Sequence, residues 1–436
     1  MLQTLKDIFG VKDIRKKLLF TVFIILLYRL GSFITVPGVD KAAFIQQVGE
    51  ASNGLVSTVN LISGGAFSRF SIFAMTIGPY ITASIVLNLL QVVIPSLERL
   101  AKEGEEGKKT LAKYTKYLTI AFGLVEAIGL YLTYKNYLLL PLTSGAGKVI
   151  GVFLFVISLM AGTALLTWLG DKITEYGIGN GISIIVFVGI ISRIPSGAAA
   201  LFEFAKGGLS SVLIVAALVI AMIIVVAGVI YVQQAERKIP VNYAKRVVGR
   251  KMYGGQNTHI PLKVAMAGVM PIIFAMSFMM FPGTIINICT KSNPTGFWKG
   301  VYDLFTVSSG SAWYYLLGYS VIYMALIILF TFVYTLFMVN PTEIANNLKK
   351  NGGFIPGIRA GKNTSEYISQ VLKYVTTVGA LFLAVVAVLP ILLQGFTPVS
   401  ITFGGTSVLI IVSVALEILK NLETQMVSRH YKGFLN

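Results

Sequence analysis

Ten apolar stretches, most of about twenty residues, alternate with polar or glycine-rich segments along this chain of 436 residues. They read Leu18–Val36, Ser71–Ile94, Thr115–Tyr134, Val149–Leu169, Ile182–Ile194, Ser211–Val232, Val264–Ile288, Trp313–Val339, Val371–Leu393 and Ile401–Leu419. Twenty apolar residues wound as an α-helix cross a bilayer core of about 30 Å. The pattern therefore predicts an all-α polytopic membrane protein with ten transmembrane helices. The fifth stretch is the shortest, which leaves room for an earlier start or a smaller tilt.

Breakers fall inside this pattern where a plain lipid-facing helix would not carry them. Gly78-Pro79 lies in the second stretch, Gly268, Pro271 and Pro282 in the seventh, and Ser63-Gly64-Gly65 just ahead of the second. Freed backbone groups at membrane depth must be satisfied by protein or by a water-filled cavity, so these helices are predicted to surround something. The two broken stretches are each second in a set of five, which suggests two halves related by an inverted pseudo-two-fold. No residue-level repeat accompanies it. Gly177-Ile-Gly-Asn-Gly181 reads as a tight turn between helices.

Charge then supplies orientation. Lys and Arg number 36 against 18 acids, and charged residues make up only 12% of the chain, about half the share of a soluble globule. Assigned to the two sides of a ten-span topology, 27 fall with the termini and eight on the other side (Lys41, Arg69, Lys135, Lys148, Arg193, Lys206, Lys291 and Lys299), with Arg29 inside the first span. This asymmetry places both termini in the cytoplasm. Met1–Lys17 is polar and the first apolar run is long enough to span, so no cleavable signal is read. The chain divides into a cytoplasmic arm (1–17), a first half (18–200), a second half (201–420) and a cytoplasmic tail (421–436). The largest polar excursion, Gln233 to Lys263, holds seven Lys or Arg and one acid. It reads as a docking surface as well as a topology signal.

Catalytic chemistry is hard to assemble from these residues. Glu106-Gly-Lys-Lys-Thr110 lacks the glycine spacing of a phosphate cradle. The single Cys289 and the two histidines, His259 and His430, offer neither a metal cluster nor an activated nucleophile, so no metal, cofactor or enzymatic activity is expected. Glu126 and Arg29 are the main ionisable residues at span depth, and for both a satisfied interhelical hydrogen bond or snorkelling to the interface is the favoured reading. A secondary transporter would need Glu126 to be essential and a solute gradient to drive uptake. An intramembrane enzyme would need a facing Ser, His or Asp pair.

Five separated strings carry a resemblance: FSRFSIFAMTIGPYITASI (67–85), TEYGIGNGISIIVF (174–187), VNYAKRVVGRKMYGGQNTHIPLKV (241–264), NGGFIPGIRAGKNT (351–364) and FGGTSVLI (403–410). In order and over nearly the whole chain, they resemble the bacterial SecY family of protein-conducting channels. The resemblance implies two five-helix halves around an hourglass pore in the cytoplasmic (inner) membrane, used for secretion and for insertion of transmembrane helices. It implies a pore ring of Ile77, Ile81, Val186, Ile273 and Ile410, with Val186 one methylene smaller than the usual isoleucine and the ring correspondingly looser. A plug would be a short helix around Ile62, Ser63, Gly64, Gly65, Ala66, Phe67, Ser68, Arg69 and Phe70. A lateral gate between spans two and seven would involve Pro79, Thr82, Asn88, Pro271 and Phe281. Docking would use Lys245, Arg246, Arg250, Lys251 and Arg359. The implied partners are SecE and in most members SecG, the SecA motor, the ribosome, signal sequences and nascent chains, and membrane lipid. With no nucleotide site in the chain, the driving force is expected to come from the motor or the ribosome.

Overall fold

The computed structural model describes residues 11–40, 42, 44, 60, 63–134, 145–243, 246–248, 251–253, 257–290, 295–306, 312–396 and 405–433. In chain order the helices are α1 (Lys12–Gly31), α2 (Gly78–Val93), α3 (Pro95–Lys102), α4 (Glu105–Tyr134), α5 (Gly145–Tyr176), α6 (Gly181–Ile191), α7 (Ile194–Ala205) and α8 (Leu209–Gln234). After strands β1 (Glu236–Tyr243), β2 (Arg246–Val248), β3 (Lys251–Tyr253) and β4 (Asn257–Lys263) come α9 (Met270–Cys289), α10 (Phe297–Phe305), α11 (Trp313–Met338) and α12 (Pro341–Lys350). Strand β5 (Gly353–Phe354), α13 (Lys362–Phe396) and α14 (Gly405–Gly433) complete the order.

Each of the ten predicted spans contains a helix. Among the described residues six helices are long and apolar enough to cross a membrane on those grounds alone, or seven if the bent pair α2–α3 counts as one span. The differences from the sequence reading lie at the breakers. Gly78-Pro79 does not interrupt a helix beginning at Ser71; it starts one, because proline is pre-set for the first helical turn, where its missing N–H costs nothing. Pro271 does the same at the start of α9, so Val264–Val269 form turns, and Pro282 alone sits inside that helix. The fifth span runs on at its C-terminal end rather than starting early. Helix α6 stops at Ile191, and after Ser192-Arg193 the chain restarts as α7 with Pro195 in its first turn.

Two glycines explain how non-helical backbone is held inside the bundle. A Cβ at Gly162 of α5 would stand 1.8 Å from the Ile72 carbonyl oxygen, so the turns ahead of α2 lie directly on the helix. The second half repeats the device: a Cβ at Gly379 of α13 would be 2.2 Å from the Val264 carbonyl oxygen, ahead of α9. In each half, then, the lead-in to the second span rests on a glycine of the fourth.

The large basic excursion is a folded platform. Strand β1 pairs antiparallel with β4, Glu236 opposite Lys263 and Ile239 opposite Ile260, and its end pairs with β5 through Asn242 and Phe354. Strands β2 and β3 form a separate hairpin. Ile239, Val241 and Leu262 bury their side chains against Leu348, Ile355 and Ile368, so the excursion and the 340–370 loop share one small core. Asn340 caps α12, accepting from the Thr342 and Glu343 amides at 3.1 and 3.3 Å. Asn180 caps α6 in the same way, and the Gly177–Gly181 string is indeed an interhelical turn.

Adding a methyl at Gly162 should destabilise the protein by about 1–3 kcal/mol, the usual cost of overpacking. Gly228→Ala in α8, where a Cβ meets no atom within 4 Å, should be neutral or slightly stabilising. Thermal unfolding of Gly162→Ala and Gly228→Ala in detergent would separate the two.

Candidate pore, plug and gate

Five aliphatic side chains from four helices and one turn converge near the centre of the bundle. Ile77, Val186 and Ile410 are buried in one apolar cluster, and Ile81 and Ile273 pack against it. Ile77 precedes α2, Ile81 lies on α2, Val186 on α6, Ile273 on α9 and Ile410 on α14. All five predicted ring residues therefore meet, drawn from both halves. The cluster also takes in Phe73, Ile184, Ile185 and Ile190, and Ala66 from the turns before α2. Ala66 is the link between the ring and the segment that precedes it.

That segment is not the short helix predicted from sequence. Ile62 lies outside the described residues, and Ser63 through Phe70 fold as successive turns. Gly64 and Gly65 hold φ of +61° and +86°, and Phe70 adopts φ +45°, all in the left-handed region. A right-handed helix cannot pass through three such residues. Its hydrogen bonds are instead local or borrowed from neighbouring helices. Ser63 Oγ accepts from the Phe67 amide at 3.1 Å, and Ser68 Oγ donates to the Gly65 carbonyl at 3.0 Å. Tyr28 of α1 donates to the Ser63 carbonyl at 3.2 Å, and Arg29 donates to the Gly64 carbonyl at 3.3 Å. Arg29 thus has a partner, though in the turn segment rather than on a facing helix. Phe67 and Phe70 turn the other way, into an aromatic cluster with Phe44, Tyr134 and Phe155.

The seam between the halves has two sides. On one, α6 packs on α14. On the other, α2 packs on α9, with Ile85 among Ile272, Ala275, Met276 and Met279, and Ile81 and Leu89 against them. Pro79 and Pro271 are buried at the helix starts, Thr82 and Asn88 are half-buried, and Phe281 is 51% exposed at the outer edge. The sequence reading missed α4, which also meets α9. Glu126 on α4 lies against a different neighbour, the start of α2. Its carboxylate oxygens come within 3.7 and 3.8 Å of where a Cβ on Gly78 would sit, beside the first turn of α2, the end of a helix that favours negative charge.

Of the predicted docking residues, Arg359 is exposed beside β5, and its carbonyl accepts from Thr364 Oγ1 at 3.0 Å. Arg246 lies in β2 and Lys251 in β3, while Lys245 and Arg250 lie outside the described residues. At the foot of the platform the Lys263 ammonium is pushed down to about 8, chiefly by its hydrogen bond to Lys420 of α14, with burial and the Lys420 charge adding to it. Glu236 and Glu417 pull the other way. Among the described residues no group of His, Cys, Asp and Glu could hold a metal ion.

The family model described as SecY matches residues 71–419. The chain belongs to the SecY family. A relative from Halalkalibacterium halodurans named protein translocase subunit SecY is 44% identical over 448 residues, covering all of both chains. The fold is also that of solved channels. A SecY structure described through a plug domain that stabilises the closed state and maintains a membrane seal superposes with a TM-score of 0.70 at 20% identity, covering 95% of this chain and 93% of that one. Sec61 in the canine ribosome–channel complex superposes with a TM-score of 0.64 at 18% identity, covering 95% and 93%. Family and fold together make this chain a membrane-embedded, pore-forming translocon subunit, in a family of channels rather than of enzymes.

An apolar constriction blocks ions only while it expels water. Ile410→Asp and Ile81→Gly should each raise the resting ion conductance in planar bilayers several-fold. Parent-level conductance in both would assign these side chains to packing alone.

Proposed function

We propose that the chain is a passive conduit for unfolded polypeptide, sealed by the Ile77, Ile81, Val186, Ile273 and Ile410 ring and by the 63–70 segment acting as its plug. The observation that carries this reading is that five aliphatic side chains from both halves share one apolar cluster with Ala66 of that segment. Branched aliphatics suit a seal for a varied cargo. They expel water at rest, yet offer a passing chain no hydrogen-bonding group on which to stall. The segment suits a plug because it is built of turns, which can be displaced as a unit without unwinding a helix.

The α2–α9 seam serves as the lateral gate. Parting it exposes Ile85 and its neighbours, which would cost about 1.5–3 kcal/mol per large side chain in water. Against lipid tails or the apolar segment of a substrate the cost is much smaller, because these are as apolar as leucine. A segment of about twenty apolar residues can therefore leave sideways into lipid, while a polar one continues through the ring. Both termini and the β-platform face the cytoplasm, in a cytoplasmic membrane, as the charge asymmetry supports.

Energy comes from outside the chain. The platform and the exposed Arg359 beside it form the surface for a SecA-type motor or a ribosome. The likeness to a channel solved on a ribosome supports the second partner, since clustered Lys and Arg bind RNA phosphates in a salt-dependent way. SecE and a SecG-type subunit complete the complex by family resemblance.

The deciding experiment reconstitutes the purified complex in vesicles. Unfolded precursor should enter only when motor and ATP are added, and a Thr82→Cys/Phe281→Cys disulfide in a Cys289→Ser background should stop both secretion and insertion until reductant is supplied. Uptake of precursor without a motor would refute the passive conduit, and undiminished transport by the cross-linked form would move the exit elsewhere.

Reversing charge on the platform tests docking separately. Arg359→Glu should lower motor- or ribosome-dependent transport at least several-fold while leaving thermal stability unchanged, because an exposed charge contributes little to folding. Normal transport by the folded variant would remove Arg359 from the interface.

A further inference from the structure

Three arginines gather at the end of the bundle away from the β-sheet. Arg29 lies in the last turn of α1, Arg69 within the turn segment, and Arg193 at the break between α6 and α7. Their surroundings are unequal. Arg29 has the Gly64 carbonyl. Arg69 lays its guanidinium over the Phe33 ring, 4.3 Å from the centroid, which fixes its plane but occupies none of its N–H groups. Its Nη1 is buried with no acceptor. Arg193 sets Nη1 3.5 Å from where a Cβ on Gly65 would stand, so it lies against the same turn segment, and its Nε is also buried with no acceptor.

The two guanidinium groups are near enough to act on each other through their charges. Among the described residues, none of the ion pairs involves Arg29, Arg69 or Arg193. Like charges held together with buried, unsatisfied donors are unfavourable unless an anion joins them. The planar guanidinium fork matches a tetrahedral oxyanion, which accepts two parallel N–H bonds from one edge.

We propose that Arg69 and Arg193 form a binding site for a phosphate-type oxyanion, which bridges the turn segment to the wall of the bundle. Phe33 and Ile34, beside Arg69, are 57% and 56% exposed on the outer surface of the bundle. The site therefore borders lipid, and the phosphate can come from an anionic lipid headgroup or from solution. A bridged anion would hold the segment in place at rest. That consequence rests on the plug reading above, whereas the site itself rests on the arginines alone.

The test uses the full chain in phosphatidylcholine nanodiscs and follows thermal unfolding while inorganic phosphate replaces chloride at constant ionic strength. A second series introduces phosphatidylglycerol into the discs without phosphate. The expected result is a saturable rise in Tm with at least one probe. It should be retained in Lys206→Gln, an exposed lysine at the end of α7, and weakened about tenfold or more in apparent affinity in Arg69→Gln and Arg193→Gln, which lose the charged fork. A response to phosphate identifies a dissolved ion, and a response to phosphatidylglycerol alone identifies a headgroup. Should either glutamine variant fail to fold, Arg69→Lys and Arg193→Lys keep the charge without the fork and should bind several-fold more weakly. No response to either probe in the parent, or equal responses in parent and variants, would overturn the site. Because binding is read on the resting chain without transport, this outcome is independent of whether the segment acts as a plug.

Discussion

Every backbone N–H and C=O at membrane depth must find a partner inside the protein, and the architecture around the pore follows from how the chain meets that demand where its helices stop. The turns between Ser63 and Ile77 are the largest such interruption among the described residues. Tyr28 and Arg29 bond their carbonyls from α1. The Val36 amide donates to the Phe70 carbonyl at 2.9 Å, and the Ile72 amide to the Ile34 carbonyl at 2.9 Å. Gly162 then lets the Ile72 carbonyl region lie against α5 without a side chain between them. Backbone that would be intolerable in lipid is thereby made affordable at the centre of the bundle.

That solution places function beside irregularity. A continuous helix from Ser71 would have carried Ile77 and Ile81 on a single cylinder. Because α2 begins at Gly78, Ile77 sits in the preceding turn, and Ala66 from the same irregular stretch reaches the cluster they share. Phe70 and Thr76, both non-glycine residues with positive φ, bracket the stretch between the 63–70 turns and α2. Such conformations persist only where surrounding contacts over-determine them. Here the contacts are those of the cluster around Phe44 and Phe155 on one side and of the ring on the other. The plug and ring readings are therefore coupled through one short piece of chain, and the second half answers it with the turns before α9 resting on Gly379.

The two ends of the bundle solve different problems. At the platform end, a basic sequence folds because Ile239, Val241 and Leu262 alternate with polar residues and find Leu348, Ile355 and Ile368 to cover them. Glu236, Arg237 and Lys238 of β1 are left exposed. At the opposite end, arginines are drawn in among aromatic and backbone groups, Arg29 against the Gly64 carbonyl and Arg69 over the Phe33 ring.

The sequence by itself carried the ten apolar stretches, their breakers, the charge asymmetry and the family, because hydrophobic length, proline and glycine, charge and five ordered motifs are all local in the chain. The five proposed ring residues, which fall in or against one apolar cluster, came from resemblance rather than periodicity, since an isoleucine in an apolar helix looks the same facing lipid, core or pore. Tertiary structure decided the rest. That Gly78-Pro79 and Pro271 begin helices, that residues 63–70 turn rather than coil, and that the excursion becomes a sheet all depend on partners far away in sequence. The same holds for Glu126 beside the first turn of α2 and for Arg69 near Arg193. Which face of a helix meets which neighbour is set by packing across the whole bundle, and a hydropathy pattern carries no record of it.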